Sequence, residues 1–153
     1  LKLGWRHPLL RYFLPALAQG ILILWLSSRE GDQLPEFNIP YLDKVLHFSL
    51  FFVLSFLWVR AFTLGQPKPQ LRFYLLISLL ISCVFGFFDE FVHQASTEGR
   101  STDMGDFVAN CLGAVAGVAF VFIYFKIKRS VGVLSPWDDS PASKNQSSAK
   151  TGA

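Results

Sequence analysis

Four apolar stretches alternate with short polar connections along this chain: about Leu9 to Leu26, Val45 to Phe62, Leu71 to Phe88 and Phe107 to Ile127. All four read as helices of membrane-crossing length, because an isolated strand cannot satisfy its backbone polar groups in lipid. Pro15 lies near one end of the first stretch, where a kink costs little. The connection Gly65-Gln-Pro-Lys-Pro-Gln70 is a short turn whose two prolines no helix continues through. The connection from Arg29 to Tyr41 carries Gly31, Pro35 and Pro40 and is expected to lie across the membrane surface. From Ser135 to Ala153 the chain turns Ser-, Lys- and Pro-rich, the composition of a disordered tail. The division expected is a membrane domain over 1–129 and a disordered cytoplasmic tail over 130–153.

Composition agrees with this picture. Of 153 residues, 52% are hydrophobic and only 16% charged, with sixteen phenylalanines, which suits a small integral membrane protein better than a soluble globule. A net charge of +3 would be compatible with nucleic acid, but the basic residues flank apolar stretches instead of lining one polar face, so no nucleic-acid partner is expected. With a cytoplasmic N-terminus, Arg29, Lys44 and Arg100 fall outside and the remaining lysines and arginines inside, while most acidic residues fall outside. That asymmetry predicts both termini in the cytoplasm. The first stretch, preceded by Lys2 and Arg6, also looks like a secretory signal. No small-x-small cleavage pattern follows Ser27-Ser28, so a retained helix is expected. Cys83 and Cys111 lie within apolar stretches and read as small packing residues.

The candidate chemistry gathers at the ends of these stretches. Asp43-Lys44-Val-Leu-His47 opens the second, and residues four apart share a helical face. Asp43 is placed to cap the helix, and Lys44 to snorkel or to pair with an acidic neighbour. Asp89, Glu90, His93 and Gln94 close the third, with Glu90 and Gln94 on one face and Asp89 and His93 on another. Carboxylates at a helix C-terminus oppose its dipole, so something else must hold them: a cation, Arg100, Lys44 or a shared proton. Glu98-Gly99-Arg100 forms the following turn. Its guanidinium could clamp Glu90 or Asp106, or present donors to a phosphate or carboxylate.

Asp106 and Asn110 begin the last stretch. Asp106 is a candidate cap, and Asn110 lies a turn deeper, where it needs a partner such as Gln94, Glu90 or a water. Gly113-x-x-x-Gly117 offers a small-residue face for close helix packing. Asp43 with His47, and Glu90-x-x-His93, echo metal-ligand spacing, but a di-metal carboxylate bundle needs the Glu-x-x-His element twice with two further glutamates. No cofactor is therefore expected; zinc on Asp43, His47, Glu90 and His93 is the metal alternative. No serine sits in a nucleophile-elbow motif, so covalent catalysis has weak support.

The order Asp43-Lys44-x-x-His47, then Asp89-Glu90, Gln94, Gly99-Arg100, Asp106 and Asn110-x-x-Gly113, resembles the VanZ-like family, over roughly Trp25 to Gly117. The resemblance implies a small bacterial membrane protein of the cytoplasmic membrane. The family's founding member is associated with low-level resistance to the glycopeptide teicoplanin. Two departures stand out. The family's glutamate and glutamine are three apart, whereas Glu90 and Gln94 are four apart, which could put His93 in the glutamine's role. Glu98 also occupies the place where a proline commonly precedes Gly-Arg.

These readings converge on an all-α, N-in and C-in bundle of four transmembrane helices with a polar pocket at its outer end. Asp43, His47, Glu90, Gln94, Arg100, Asp106 and Asn110 are expected to line the pocket. It would recognise an envelope lipid, cell-wall precursor or lipid-bearing glycopeptide, with Arg100 and Lys44 holding an anionic group. The alternative is an intramembrane enzyme acting on an envelope lipid, with His47 or Glu90 as acid–base and Arg100 stabilising developing charge. On a third reading the polar net only latches the helices together.

Overall fold

The computed structural model describes residues 8–28, 41–64, 70–93 and 103–130. The expected tail beyond 130, both longer connections and, among the candidate site residues, Gln94 and Arg100 lie outside these. The described chain is all helical: α1 (Pro8–Ser27), α2 (Leu42–Thr63), α3 (Leu71–Phe88) running on into a π-helical turn (Asp89–His93), and α4 (Met104–Ser130). Three segments are long and apolar enough to cross a membrane, Leu42–Thr63, Leu71–His93 and Met104–Ile127; α1 adds a shorter apolar stretch, Arg11–Ser27.

The burial pattern is that of a protein solvated by lipid. Large apolar side chains such as Ile21, Val84 and Leu112 are more than half exposed. By contrast Ser55, Ser78, Ser82, Asp89, Glu90 and Asn110 are completely enclosed. In water this arrangement would forfeit the hydrophobic driving force; in hydrocarbon it is the stable one, because polar groups there must find partners inside the bundle.

α2 and α4 form the principal seam, with α1 and α3 packed on α2 and α3 also on α4. The seam is close because Gly113 lies against the Phe48 carbonyl oxygen and Gly117 against Ser55 Oγ and the Phe52 carbonyl oxygen. Ser55 Oγ donates across it to the Ala114 carbonyl at 3.0 Å. The small apolar interior consists of Ile23, Phe51 and Leu54, with Phe85 and Trp58 against them, and a second group of Val59, Leu75 and Val121. α1 is held on α2 by Phe13, whose ring lies 5.4 Å from that of Phe62, and by Gln19 Nε2, which donates to the Leu50 carbonyl at 3.2 Å. Cys83 and Cys111 are free and face each other across α3 and α4.

Both α2 and α4 begin three residues before the apolar stretches that announce them. Their first turns are polar, so hydrophobicity alone does not reveal them. They are helical because their polar side chains find partners on the neighbouring helix.

Candidate functional site

The C-terminal ends of α1 and α3 and the N-terminal ends of α2 and α4 meet at one end of the bundle, and the site is built on how each begins or stops. Tyr41 precedes α2 in the left-handed region, φ 63°, and its carbonyl accepts the Val45 N–H at 3.1 Å. Tyr41, not Asp43, is therefore the N-cap residue. Asp43 lies in the first turn, complements the dipole there, and stands 3.8 Å from Lys44 Nζ at the exposed rim.

Asp106 is likewise not the cap of α4. Asp103 fills that place: its Oδ1 accepts the Gly105 N–H at 2.7 Å, and its carbonyl accepts from Asp106 and Phe107 at 3.0 and 3.2 Å. With the cap supplied one turn earlier, the Asp106 carboxylate is directed into the bundle.

The central cluster follows from these placements. Lys44 Nζ donates to Asp103 Oδ2 at 2.6 Å and to Asp106 Oδ1 at 2.9 Å. His47, one turn further along α2, donates from Nδ1 to Asn110 Oδ1 at 3.0 Å. Its other nitrogen, Nε2, stands 3.9 Å from Asp106 Oδ2. Glu90, wholly buried, accepts the Asp103 backbone N–H on Oε1 at 2.6 Å. One donor atom from each of His47, Glu90 and Asp106 lies within 4.8 Å of the other two. Gly86 lets α3 come this near: a Cβ there would stand 3.0 Å from the Phe51 ring and 3.2 Å from Asn110 Cβ. At the mouth, the Lys44 hydrogen bond holds the Asp103 carboxyl below its ordinary value of 3.8.

A second polar group faces α1. Ser27 Oγ donates to Asp89 Oδ2 at 2.9 Å, and His93 Nδ1 is 3.4 Å from Asp89 Oδ1. Ser28 Oγ lies 3.1 Å from His93 Nε2. The succession serine, imidazole, carboxylate looks like a nucleophilic triad, but the proton inventory argues against that use. The single Ser28 hydroxyl proton is directed at the Leu24 carbonyl at 2.7 Å, so the hydroxyl is not poised to give it to Nε2. This group ties α1 to the π turn. That turn, with its i→i+5 geometry, turns Asp89 toward α1 and Glu90 toward α2 and α4, two directions from adjacent residues.

The structure thus brings Lys44, His47, Glu90, Asp106 and Asn110 together, with Asp43 at their rim, and sets Asp89 and His93 apart on the α1 side. Asn110 is bonded to His47, a partner outside those expected for it. Lys44, expected to pair with an acidic neighbour or to help hold an anionic ligand, pairs with Asp103 and Asp106. Asp103 and Ser27 are the important residues that sequence reasoning left without a role. Asp103 carried a usable signal, an Asp just ahead of a helical stretch with an N–H donor two residues on. Ser27 carried none, because its carboxylate partner is 62 positions away.

A family profile described as VanZ/LLP1 matches residues 10–126. An uncharacterized protein of the fission yeast Schizosaccharomyces pombe is 31% identical over 110 residues, which are 72% of this chain and 64% of the relative. No solved structure matches the chain.

Proposed function

The chain belongs to the VanZ/LLP1 family, and from that membership and the geometry of its polar end we propose that it is a multi-pass membrane protein that recognises the headgroup of a membrane amphiphile. The ligand class is an envelope lipid, a cell-wall precursor or a lipid-bearing glycopeptide, taken up at the extracytoplasmic ends of the helices. The observation that carries this reading is the enclosed Glu90 carboxylate meeting His47 of α2 and Asp106 of α4 at the end of an otherwise apolar bundle. Ionisable groups so placed are costly in lipid and mark ligand sites by default. The uneven distribution of basic residues supports an outward-facing polar end.

Arg100 is the guanidinium candidate for an anionic headgroup, since Lys44 already has two carboxylates. A bacterial cytoplasmic membrane is the setting the family resemblance suggests; with a relative in fission yeast, the reading requires a bilayer and not a particular one. Protection against teicoplanin would follow where a lipid-bearing glycopeptide is the ligand.

A second reading, an intramembrane enzyme acting on such a lipid, is favoured by one feature. Donation from Nδ1 to Asn110 leaves Nε2 as the His47 ring nitrogen on the Asp106 side, the arrangement from which an imidazole exchanges protons. Arg100 would then stabilise developing charge.

Native mass spectrometry of the protein released from nanodiscs of envelope lipid tests both readings. Recognition predicts a retained lipid that is lost in Glu90→Gln, with the fold kept and no change in the lipid's mass. Turnover predicts a product of altered mass that His47→Asn abolishes. Equal lipid retention by wild type and Glu90→Gln, without product, would refute both.

A further inference from the structure

We propose that His47, Glu90 and Asp106 form a binding site for one divalent transition-type cation, zinc by the chemistry of the donor set. This rests on the reading of the polar end as the working site and names what makes it competent.

The three side chains come from three helices, and one donor atom of each lies within 4.8 Å of the others. Around a tetrahedral ion bound at roughly 2.0–2.2 Å, ligand atoms stand roughly 3.3–3.6 Å apart. The observed 3.9 Å between His47 Nε2 and Asp106 Oδ2 is therefore a small closing movement from coordination.

Each ligand is also oriented through its other polar atoms, as metal ligands characteristically are. The His47 Nδ1–H is held by Asn110 Oδ1, which orients the ring with Nε2 toward Asp106. The Lys44 ammonium holds Asp106 Oδ1, and the Asp103 N–H holds Glu90 Oε1. An imidazole nitrogen and two carboxylates that converge from three helices need a cation or a proton among them.

A further observation comes from Asn110. The side chain is fully enclosed, and its Nδ2 finds no hydrogen-bond partner among the described residues. This donor, on the same amide that holds His47, suits an oxygen carried at an open position of the ion. Three protein ligands would leave such a position, as in zinc sites that accept water or substrate. The ion would also resolve a mismatch. The described cluster is rich in carboxylates, and Lys44 is already bonded to two of them, so an ion would join Arg100 in meeting an anionic phosphate or carboxylate headgroup there. Imidazole with two carboxylates favours zinc over magnesium or calcium, which prefer all-oxygen shells.

The test uses the full chain in detergent, stripped with EDTA and titrated with Zn2+ or Mg2+ without added lipid. Bound metal is counted after desalting, and thermal unfolding is followed in parallel. We expect one zinc per chain and a raised Tm, with neither effect from Mg2+. His47→Gln and Glu90→Gln should abolish stoichiometric binding, Asn110→Ala should weaken it by about tenfold or more, and His93→Gln should leave it unchanged. Zinc well below one per chain, full binding by His47→Gln, or an equal loss in His93→Gln would overturn the site.

Wild-type protein loaded with Co2+ removes dependence on how the variants fold. Intense visible bands of a four- or five-coordinate ion are expected, and the weak spectrum of the aqueous ion would refute the proposal. Failure of metal binding with lipid retention intact would remove this inference and leave headgroup recognition standing.

Discussion

Lys44 shows how one side chain organises the polar end. Its ammonium is bonded to carboxylates on both sides of the α4 start, so α2 and α4 are tied just where the apolar seam ends. Hydrogen bonds to charged partners are worth about 1.5–3 kcal/mol each, and this side chain is one-third exposed, which discounts them. Lys44→Met should therefore lower unfolding stability in detergent by about 1–3 kcal/mol in total. Adding Asp106→Asn should cost less than the sum of the two single changes, because it relieves the carboxylate repulsion that Lys44→Met exposes. At this scale the sequence was partly readable. His47 and Asp43 share a face by spacing alone, but the partners of Lys44 lie 59 and 62 positions away. No local rule connects them.

Element by element, the glycines and the caps decide how the helices meet. A Cβ at Gly113 would run into the Phe48 carbonyl, and one at Gly117 into Ser55 and the Phe52 carbonyl, all backbone or enclosed groups with little room to give. Gly113→Ala and Gly117→Ala should each cost about 1–3 kcal/mol or more by forcing α2 from α4. Gly20→Ala is the control: its Cβ would make an ordinary 3.7 Å contact with Phe85, and it should be neutral or stabilising by up to about 1 kcal/mol. Thermal melts of the three variants check this.

The cap of α4 carries a pH dependence. Because the Asp103 carboxyl is held below its ordinary value of 3.8 in the folded protein, its contribution is present above that value and is lost as pH falls through the lowered one. Acid titration of Tm should show a smaller decline for Asp103→Asn than for wild type, and an identical decline would remove Asp103 from that role. The Gly-x-x-x-Gly face was legible as a packing motif. The caps were not: Asp106 satisfies the same compositional rule as Asp103, and Tyr41, which starts α2, satisfies none.

For the molecule as a whole, the outward-facing apolar side chains and the length of three helices suit a lipid medium. Val84 is two-thirds exposed on α3, within a segment long and apolar enough to cross a membrane. Val84→Arg should reduce insertion of this helix by about 2.5–3.5 kcal/mol, measured by glycosylation mapping. A soluble protein would tolerate that change at an exposed site. The helical fold and its polar end were readable from apolar length and from where the ionisable residues fall. The division of that end into a group around His47 and another around Asp89 was not, because it depends on the π turn and on Ser27 of α1.

The π turn has a consequence for how such a chain can change length. It accommodates a residue beyond what an α-helical turn holds, so an insertion after Glu90 need not rotate the rest of the helix out of phase. A helix that carries such a residue within Asp89–His93 stays a continuous rod with a local loop-out. Glu90, ahead of such a residue, would keep its place beside His47.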